Sequence, residues 1–260
     1  MTMDAAAGMI SIAGRTVPRM GFGAMQLRGA AGPETALPVL RRAIELGVRV
    51  IDTAWFYGDD VNRHIAEALQ PYSADLVLAT KAGASTASNS QPLCPDYSPD
   101  QMRAGNDRDR TVLGLEAVPL THLRWTGEED PYDGMTFDSA FDTMLAMQAE
   151  GRIEYVGLSN VTLAQLRRAH ARGPVASVSN MFSFGNQSDL PTLEFCTANG
   201  IPYLPFGALG YGATDTPAGK PGMTGVQARL AWLLDCSPVT VLIPGTSSVE
   251  HLEANIAAGV

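Results

Sequence analysis

The feature that most constrains the fold is a repeated unit, an amphipathic helix that ends in Gly and is followed at once by a short β-rich run. It appears four times, as "LRRAIELG" before "VRVID", "LAMQAEG" before "RIEYVGLS", "LRRAHARG" before "PVASVS" and "LEFCTANG" before "IPYLPF". Gly commonly follows a helix C-terminus, and helices that alternate with short apolar strands are typical of parallel βαβ units. The repeat therefore predicts an α/β fold around a parallel sheet.

The number of strands favours a closed barrel. Eight candidate strands begin near Met20, Val48, Asp75, Val118, Ile153, Val175, Ile201 and Val239. Eight such units within 260 residues fit a (β/α)8 TIM barrel, with residues 1–260 as a single domain. The preceding "MISIAGRTV" predicts an N-terminal β-hairpin that turns at Ala13-Gly14 and plugs the bottom of the barrel. The rival fold, a doubly wound sheet, requires a Gly-rich phosphate turn, and "GFGAMQ" lacks its third Gly.

Three long segments fit a regular barrel poorly, namely 83–107, 126–134 and 210–225. Loops of that length are usually functional or mobile. Within the first, "SPDQ" at 98–101 is a capping box with Pro at the first helical position, which predicts that a helix starts there. Gly105 should weaken that helix.

Composition excludes several classes of protein. A net charge of −9 argues against binding to nucleic acid, and no apolar run approaches the ~18 residues of a membrane span. Cys94, Cys196 and Cys236 match neither a metal site nor a disulfide framework. No basic leader precedes "AAAGMISI", so we expect a cytoplasmic protein without a metal, as a monomer or a small homo-oligomer.

Polar residues follow the strands at the end where barrel chemistry collects. Asp52 ends the second strand, Tyr57 lies five residues later, and Lys81 ends the third. A tyrosine with a pKa of ~10 is a poor acid at neutral pH, and a nearby cation such as Lys81 lowers that pKa. Tyr57 is then a candidate general acid for a carbonyl oxygen, with Asp52 holding Lys81. A structural ion pair beside a Tyr is the alternative, but three such residues at strand ends favour catalysis.

The motifs "GFGAMQL", "VIDTAWFYG", "ATKAG", "GRIEYVGLSN", "PFGALG" and "LIPGTSSVEHLEANI", in this order, resemble the aldo-keto reductases over nearly the whole chain. "PLTHLRW" and "IPGTSS" are most similar to the bacterial branch that includes pyridoxal reductases. The resemblance implies an NADP-dependent barrel with a tetrad of Asp, Tyr, Lys and His. It also implies that hydride passes from nicotinamide to a carbonyl and that Tyr supplies the proton. Asp52, Tyr57 and Lys81 match three tetrad members directly.

The resemblance also implies an NADPH site. Ser159 and Asn160 match the pair that holds the carboxamide, Phe206 matches the aromatic that stacks on nicotinamide, and 245–255 matches the segment that binds the adenosine phosphate. The full implied set is Gly21, Ala24, Met25, Asp52, Ser159, Asn160, Ser179, Phe206, Gly207, Leu209, Gly210, Ile243, Gly245, Thr246, Ser247, His251 and Asn255.

The fourth tetrad position departs from the family. Arg124 stands where the family has His, and His122 lies two residues earlier, about 7 Å back on the same strand face. Arginine does not shuttle protons, but its fork can hold a carbonyl oxygen, steady an alkoxide or pair with an anionic substrate. His122 is either a hydrogen-bonded core residue or, after a small register shift, the catalytic group.

The cofactor positions also differ from the family pattern. Ser179 replaces a Gln, Ala254 replaces an acid, and His251 aligns with the Arg that grips the 2′-phosphate. We therefore expect the protein to prefer NADPH to NADH, with Ser247 and Ser248 as uncharged hydrogen-bond donors.

Two functions follow. The first is NADPH-dependent reduction of a polar or aromatic aldehyde or ketone. Arg124, Trp55 and Trp125 then shape the substrate pocket, or both tryptophans are plain wall residues. The second is a repurposed barrel that catalyses isomerisation, dehydration or cyclisation, or only binds a ligand. The trimmed segment between Phe206 and Val239, with room for one helix, "GVQARLAWLLD", favours the second. A regulatory subunit is a third interpretation.

Overall fold

A curled parallel sheet of six strands, a half-barrel, organises the computed structural model, which describes residues 7–28, 32–86, 93–126, 130–132, 134–210 and 215–259. Its strands are β3 (Phe22–Gly23), β4 (Val50–Asp52), β5 (Val77–Ala82), β8 (Val118–Arg124), β9 (Ile153–Ser159) and β10 (Val178–Ser179). Two antiparallel pairs lie outside it: β1 (Met9–Ile12) with β2 (Arg15–Pro18), and β6 (Ala84–Ser85) with β7 (Cys94–Pro95). Strand order in the sheet follows the sequence from β3 to β10 without reversal, which excludes the doubly wound alternative.

Helices connect the strands. They are α1 (Pro33–Glu45), α2 (Asp59–Leu69), α3 (Pro99–Leu113), α4 (Phe137–Ala149), α5 (Leu163–Arg172), α6 (Leu190–Asn199), α7 (Gly225–Cys236) and α8 (Val249–Ala257). None of the helices in these ranges is long and apolar enough to cross a membrane.

The predicted strands at Ile201 and Val239 are shorter than expected. There the chain makes single parallel bridges, Val178 to Tyr203 and Tyr203 to Thr240, and a third bridge joins Leu242 to Met20. Pro202 and Pro205 flank the bridging residues of "IPYLPF". Proline has no N–H to donate, so this segment does not form a continuous ladder.

The alternation of strand side chains decides which residues face the inside of the curl. Val50, Val77 and Leu120 belong to an inner apolar cluster that also contains Ile12 and Val17 of the β1–β2 pair. Their neighbours Ile51 and Leu78 belong instead to the larger cluster under the helices. Because the period of a strand is two residues, the inner face continues to Asp52 on β4, Lys81 on β5, and His122 and Arg124 on β8.

The prediction of a helix at Ser98 is confirmed. Pro99 is the first residue of α3, and the Ser98 hydroxyl accepts a hydrogen bond from the Gln101 N–H. Gly105 lies inside this helix, where close packing leaves no room for a side chain: a Cβ there would stand 2.6 Å from Nε1 of Trp55. The rest of the three long segments includes 87–92, 127–129, 133 and 211–214, which lie outside the described residues.

Candidate active site

A cavity of about 390 Å³ opens where β4, β5 and β8 end. Asp52, Tyr57, Lys81 and Arg124 all line it. The other lining residues are Gly23, Met25, Gln26, Phe56, Leu93, Phe206, Gly207, Ala208, Leu209, Gly210, Ile243, Pro244 and Gly245. The structure thus brings four of the five catalytic candidates to one cavity.

Lys81 is the centre of this group. Its Nζ lies 2.6 Å from Oδ1 of Asp52, 2.9 Å from the carbonyl oxygen of Thr53 and 3.2 Å from the Tyr57 hydroxyl. The ammonium has three N–H donors, so these contacts use all of them. The side chains of Lys81 and Asp52 are each 6% exposed. A buried ion pair needs this degree of hydrogen bonding to offset the loss of hydration.

The protonation states suit a proton donor. Burial raises the pKa of Tyr57, while the charges of Lys81 and Arg124 act to lower it and that of Asp52 acts to raise it. The Lys81 charge lowers the pKa of Tyr57, as predicted from the sequence, but burial raises this pKa by more. Burial also opposes the charge on Lys81, yet Asp52 and Tyr57 together raise the pKa of Lys81. At neutral pH the site therefore holds a neutral phenol beside an ammonium.

Arg124 reaches the cavity, whereas His122 stays below it. Arg124 Nη1 donates a hydrogen bond to Oγ of Ser159 over 3.2 Å, and its guanidinium carbon lies 4.8 Å from the centre of the Phe206 ring. His122 is fully buried, and its Nε2 lies 2.8 Å from Oγ of Ser177. Burial, with a smaller effect of the Lys81 charge, lowers the pKa of His122 to about 3.

The strand register explains the difference. His122 pairs with Lys81 on one side and with Gly157 on the other, so both side chains start at the same level of the sheet. Lys81 is long enough to reach Tyr57, but the imidazole remains in the interior. Gly157 leaves room for it, since a Cβ there would clash with the ring. The structure therefore places Arg124, and not His122, in the cavity with Tyr57.

The candidate cofactor residues divide into two groups. Met25, Asp52, Phe206, Gly207, Leu209, Gly210, Ile243 and Gly245 line the cavity. The others are not among its lining residues: Gly21, Ala24, Ser159 and Ser179 are buried, and Asn160 donates to the Trp125 carbonyl oxygen. Thr246, Ser247, His251 and Asn255 lie at or in α8, where the Ser248 hydroxyl accepts from the His251 N–H.

Two glycines at the rim allow the first loop and the last one to meet. A Cβ at Gly23 would stand 2.6 Å from the carbonyl oxygen of Ile243. A Cβ at Gly245 would collide with the Gly23 carbonyl oxygen and with the Gln26 side chain. Side chains at these positions would separate the loops that form one wall of the cavity.

The two tryptophans are absent from the described lining. Trp55 packs on α3, with the Arg108 guanidinium 5.6 Å from its ring centre. Trp125 is fully buried and stacks on Tyr97 at 4.1 Å. Phe56, and not Trp55, lines the cavity. Both residues lie in a 3-10 turn, so the two-residue period of a strand does not predict which of them faces the cavity. Sequence reasoning also missed Leu93, which lies in the long segment 83–107 and carries no motif.

Comparison with known proteins agrees with this geometry. The family model described as the aldo/keto reductase family matches residues 19–221. The chain belongs to the aldo/keto reductase family. It is an NADP-dependent oxidoreductase of that family.

Three relatives illustrate the match. Pyridoxine 4-dehydrogenase of Escherichia coli is 38% identical over 259 residues, which cover 94% of this chain and 90% of that protein. An aldo/keto reductase of Klebsiella pneumoniae, solved in complex with NADP and acetate, superposes with a TM-score of 0.77 at 20% identity, over 96% of this chain and 89% of that one. The glycerol dehydrogenase of Gluconobacter oxydans gives a TM-score of 0.80 at 19% identity, over 97% and 90% of the two chains. The two structures share the fold of this chain.

Proposed function

We propose that the protein reduces an aldehyde or ketone to an alcohol with NADPH, and that Tyr57 is the general acid. The observation that carries the proposal is the buried contact of Lys81 with both Asp52 and Tyr57 at the cavity surface. A phenol that burial keeps protonated, beside an ammonium that stabilises the phenolate, can give a proton to a carbonyl oxygen and remain stable afterwards.

Each residue then has a defined part. When bound, NADPH would supply the hydride for the carbonyl carbon. The Tyr57 hydroxyl gives its proton to the carbonyl oxygen, so the product is a neutral alcohol and the residue left is a phenolate. Lys81 stabilises that phenolate, and Asp52 keeps Lys81 charged. Arg124 stays protonated, so it binds the carbonyl oxygen and the negative charge that develops there without exchanging a proton.

The residues present fit NADPH. Phe206 offers a partly exposed ring at the cavity wall, a surface on which a nicotinamide ring can stack. The exposed Ser247 precedes α8, and the N-terminus of a helix attracts phosphate. The NADP complex of the Klebsiella relative supports the same cofactor.

The E. coli relative narrows the substrate class. Its name, pyridoxine 4-dehydrogenase, supports an aromatic aldehyde such as pyridoxal as a substrate to test.

We include in the proposal that the half-barrel is part of one closed (β/α)8 domain, with the β1–β2 hairpin at its bottom. The bridges through Tyr203, Thr240 and Leu242 and the packing of Ile12 and Val17 support this closure.

The alternative is a barrel that does not use hydride. One observation favours it: within the described residues between Phe206 and Val239, the chain forms one helix, α7. A shorter segment there would bind the cofactor weakly.

We also place the protein in the cytoplasm, because the free thiols Cys94, Cys196 and Cys236 suit a reducing compartment. Its oligomeric state stays a prediction.

A fluorescence titration with NADPH, and separately with NADH, distinguishes the two functions. We expect micromolar binding with NADPH preferred, followed by NADPH-dependent reduction in a panel of aldehydes that includes pyridoxal. Tyr57→Phe should bind NADPH as tightly as the wild type but reduce none of them. If neither dinucleotide binds, the reductase proposal is wrong and the redox-neutral function is favoured.

A further inference from the structure

The turn that carries Tyr57 is held from behind by α3. This turn runs from Thr53 at the end of β4 to Asn62 in α2. Gly105 lets α3 approach Trp55, and Arg108 donates two hydrogen bonds to Asp59 over 2.7 and 2.8 Å. The third contact is buried. Asp109 accepts a hydrogen bond from the Asn62 amide over 2.7 Å.

This third contact belongs to a hydrogen-bonded chain that ends at the active site. The Thr53 hydroxyl donates to Oδ1 of Asn62 over 2.7 Å, and the Asn62 amide donates to Asp109. The backbone carbonyl of the same Thr53 accepts from Lys81 Nζ over 2.9 Å. Thr53, Asn62 and Asp109 are 0%, 2% and 1% exposed. Water does not replace buried hydrogen bonds of this kind, so their geometry is fixed by the fold.

The hydrogen-bonded chain joins the two ends of the turn that carries Tyr57. Thr53 precedes Tyr57 and Asn62 follows it, so their hydrogen bond closes the loop around the phenol, and Asp109 ties that bond to another helix. None of these three residues lines the cavity. Their effect on a reaction must therefore pass through the positions of the Thr53 carbonyl, Lys81 and Tyr57.

We propose that Asp109 is a positioning residue: through Asn62 and Thr53 it fixes the carbonyl that holds the Lys81 ammonium and the turn that presents Tyr57. The proposal rests on the proposed reduction for its catalytic consequence. A small displacement of a proton donor costs rate, not affinity, because the donor acts in the transition state. Loss of the chain should lower kcat and leave KM and NADPH binding unchanged.

The polarity of the chain supplies a sharp test. In Asn62→Leu, a side chain of similar size neither accepts from the Thr53 hydroxyl nor donates to Asp109. In the double variant N62D/D109N the polarity is reversed: the carboxylate at position 62 accepts from both the Thr53 hydroxyl and the new amide at position 109. The chain is broken in the first variant and kept in the second. Arg103→Gln is the matched control, because it removes a surface ion pair between α3 and Glu150 and leaves the chain intact.

We expect Asn62→Leu to lower kcat by roughly tenfold or more, with KM and the NADPH dissociation constant within about twofold of the wild type. N62D/D109N should keep kcat within about threefold of the wild type, and Arg103→Gln should not change it. A purely structural role would change stability in these variants without a selective loss of kcat in Asn62→Leu. A folded Asn62→Leu with wild-type kcat, or a double variant as slow as Asn62→Leu, would overturn the proposal.

A second measurement does not depend on turnover. The Tyr57 N–H donates to the Ala54 carbonyl oxygen within the turn. In the protein without cofactor, we expect hydrogen exchange at this amide to be at least about tenfold faster in Asn62→Leu and to stay close to the wild-type rate in N62D/D109N. Unchanged exchange in Asn62→Leu would overturn the proposal. If the wild type reduces no aldehyde but exchange follows this pattern, the proposed function fails while the positioning of the turn stands.

Discussion

Asp109→Asn removes a carboxyl group that stays protonated to a higher pH in the folded protein than in the unfolded chain. Burial raises the pKa of the Asp109 carboxyl to about 7. Hydrogen bonds with Thr80 and Asn62 oppose this rise, as do the charges of Lys81 and Arg108. In the unfolded chain the pKa is ~3.9. Between these two values the folded protein keeps the proton and the unfolded chain has lost it. The free energy of unfolding contributed by Asp109 therefore falls as pH rises through this range.

The size of the effect follows from the two pKa values. Between about pH 5 and about pH 8, the difference in bound protons integrates to roughly two pKa units, or about 3 kcal/mol. His122 has the opposite dependence. Because burial lowers the pKa of His122 to about 3, its contribution to stability is present above ~6.5 and is lost as pH falls toward about 3. Both proteins contain His122, so its contribution cancels when Asp109→Asn is compared with the wild type.

The assay is urea unfolding of both proteins at about pH 5 and about pH 8, with the free energy of unfolding obtained by linear extrapolation. The stability of Asp109→Asn relative to the wild type should be about 3 kcal/mol greater at the higher pH. Any change in hydrogen bonding caused by the amide itself is independent of pH and does not enter this difference. A relative stability that agrees within about 1 kcal/mol at the two pH values would show that the folded protein ionises Asp109 normally, and would refute the reasoning.

Two further substitutions test other contacts. Arg124→Lys should raise KM and lower kcat in steady-state reduction, because the ammonium lacks the fork that holds a carbonyl oxygen; an unchanged enzyme would return the fourth role to His122. Gly105→Ala gains about 1 kcal/mol of helix propensity but places a Cβ 2.6 Å from Nε1 of Trp55, a clash that costs about 1–3 kcal/mol, so we expect a lower Tm and a lower kcat. A thermal unfolding curve with a Tm at or above that of the wild type would contradict this packing argument.

The alternation of strand residues made the inner face predictable. Val50 and Asp52, and Val77 and Lys81, follow the period of two, so the polar ends of these strands had to meet at one edge of the sheet. The same rule separated Arg124 from His122 by depth. Local capping also allowed prediction of α3, because Ser98 and Pro99 act within one turn of the helix.

Contacts between distant segments were not predictable in this way. Asn62 and Asp109 are 47 positions apart, and each alone has the pattern of an ordinary polar helix residue. The choice of Phe56 over Trp55 for the cavity wall depends on a 3-10 turn packed against Gly105. Burial of Tyr57 reverses the net direction of its pKa from that expected from Lys81 alone, and burial is a property of the whole fold.

Transfer of deuterium from NADPH labelled at the nicotinamide C4 position tests the central claim most directly. In a single turnover with an aldehyde such as pyridoxal, the wild type should produce an alcohol that carries one deuterium on the former carbonyl carbon, as measured by mass spectrometry. Tyr57→Phe, saturated with the same cofactor at unchanged affinity, should produce none above background. Labelled alcohol formed by Tyr57→Phe at the wild-type rate would contradict the assignment of Tyr57 as the proton donor.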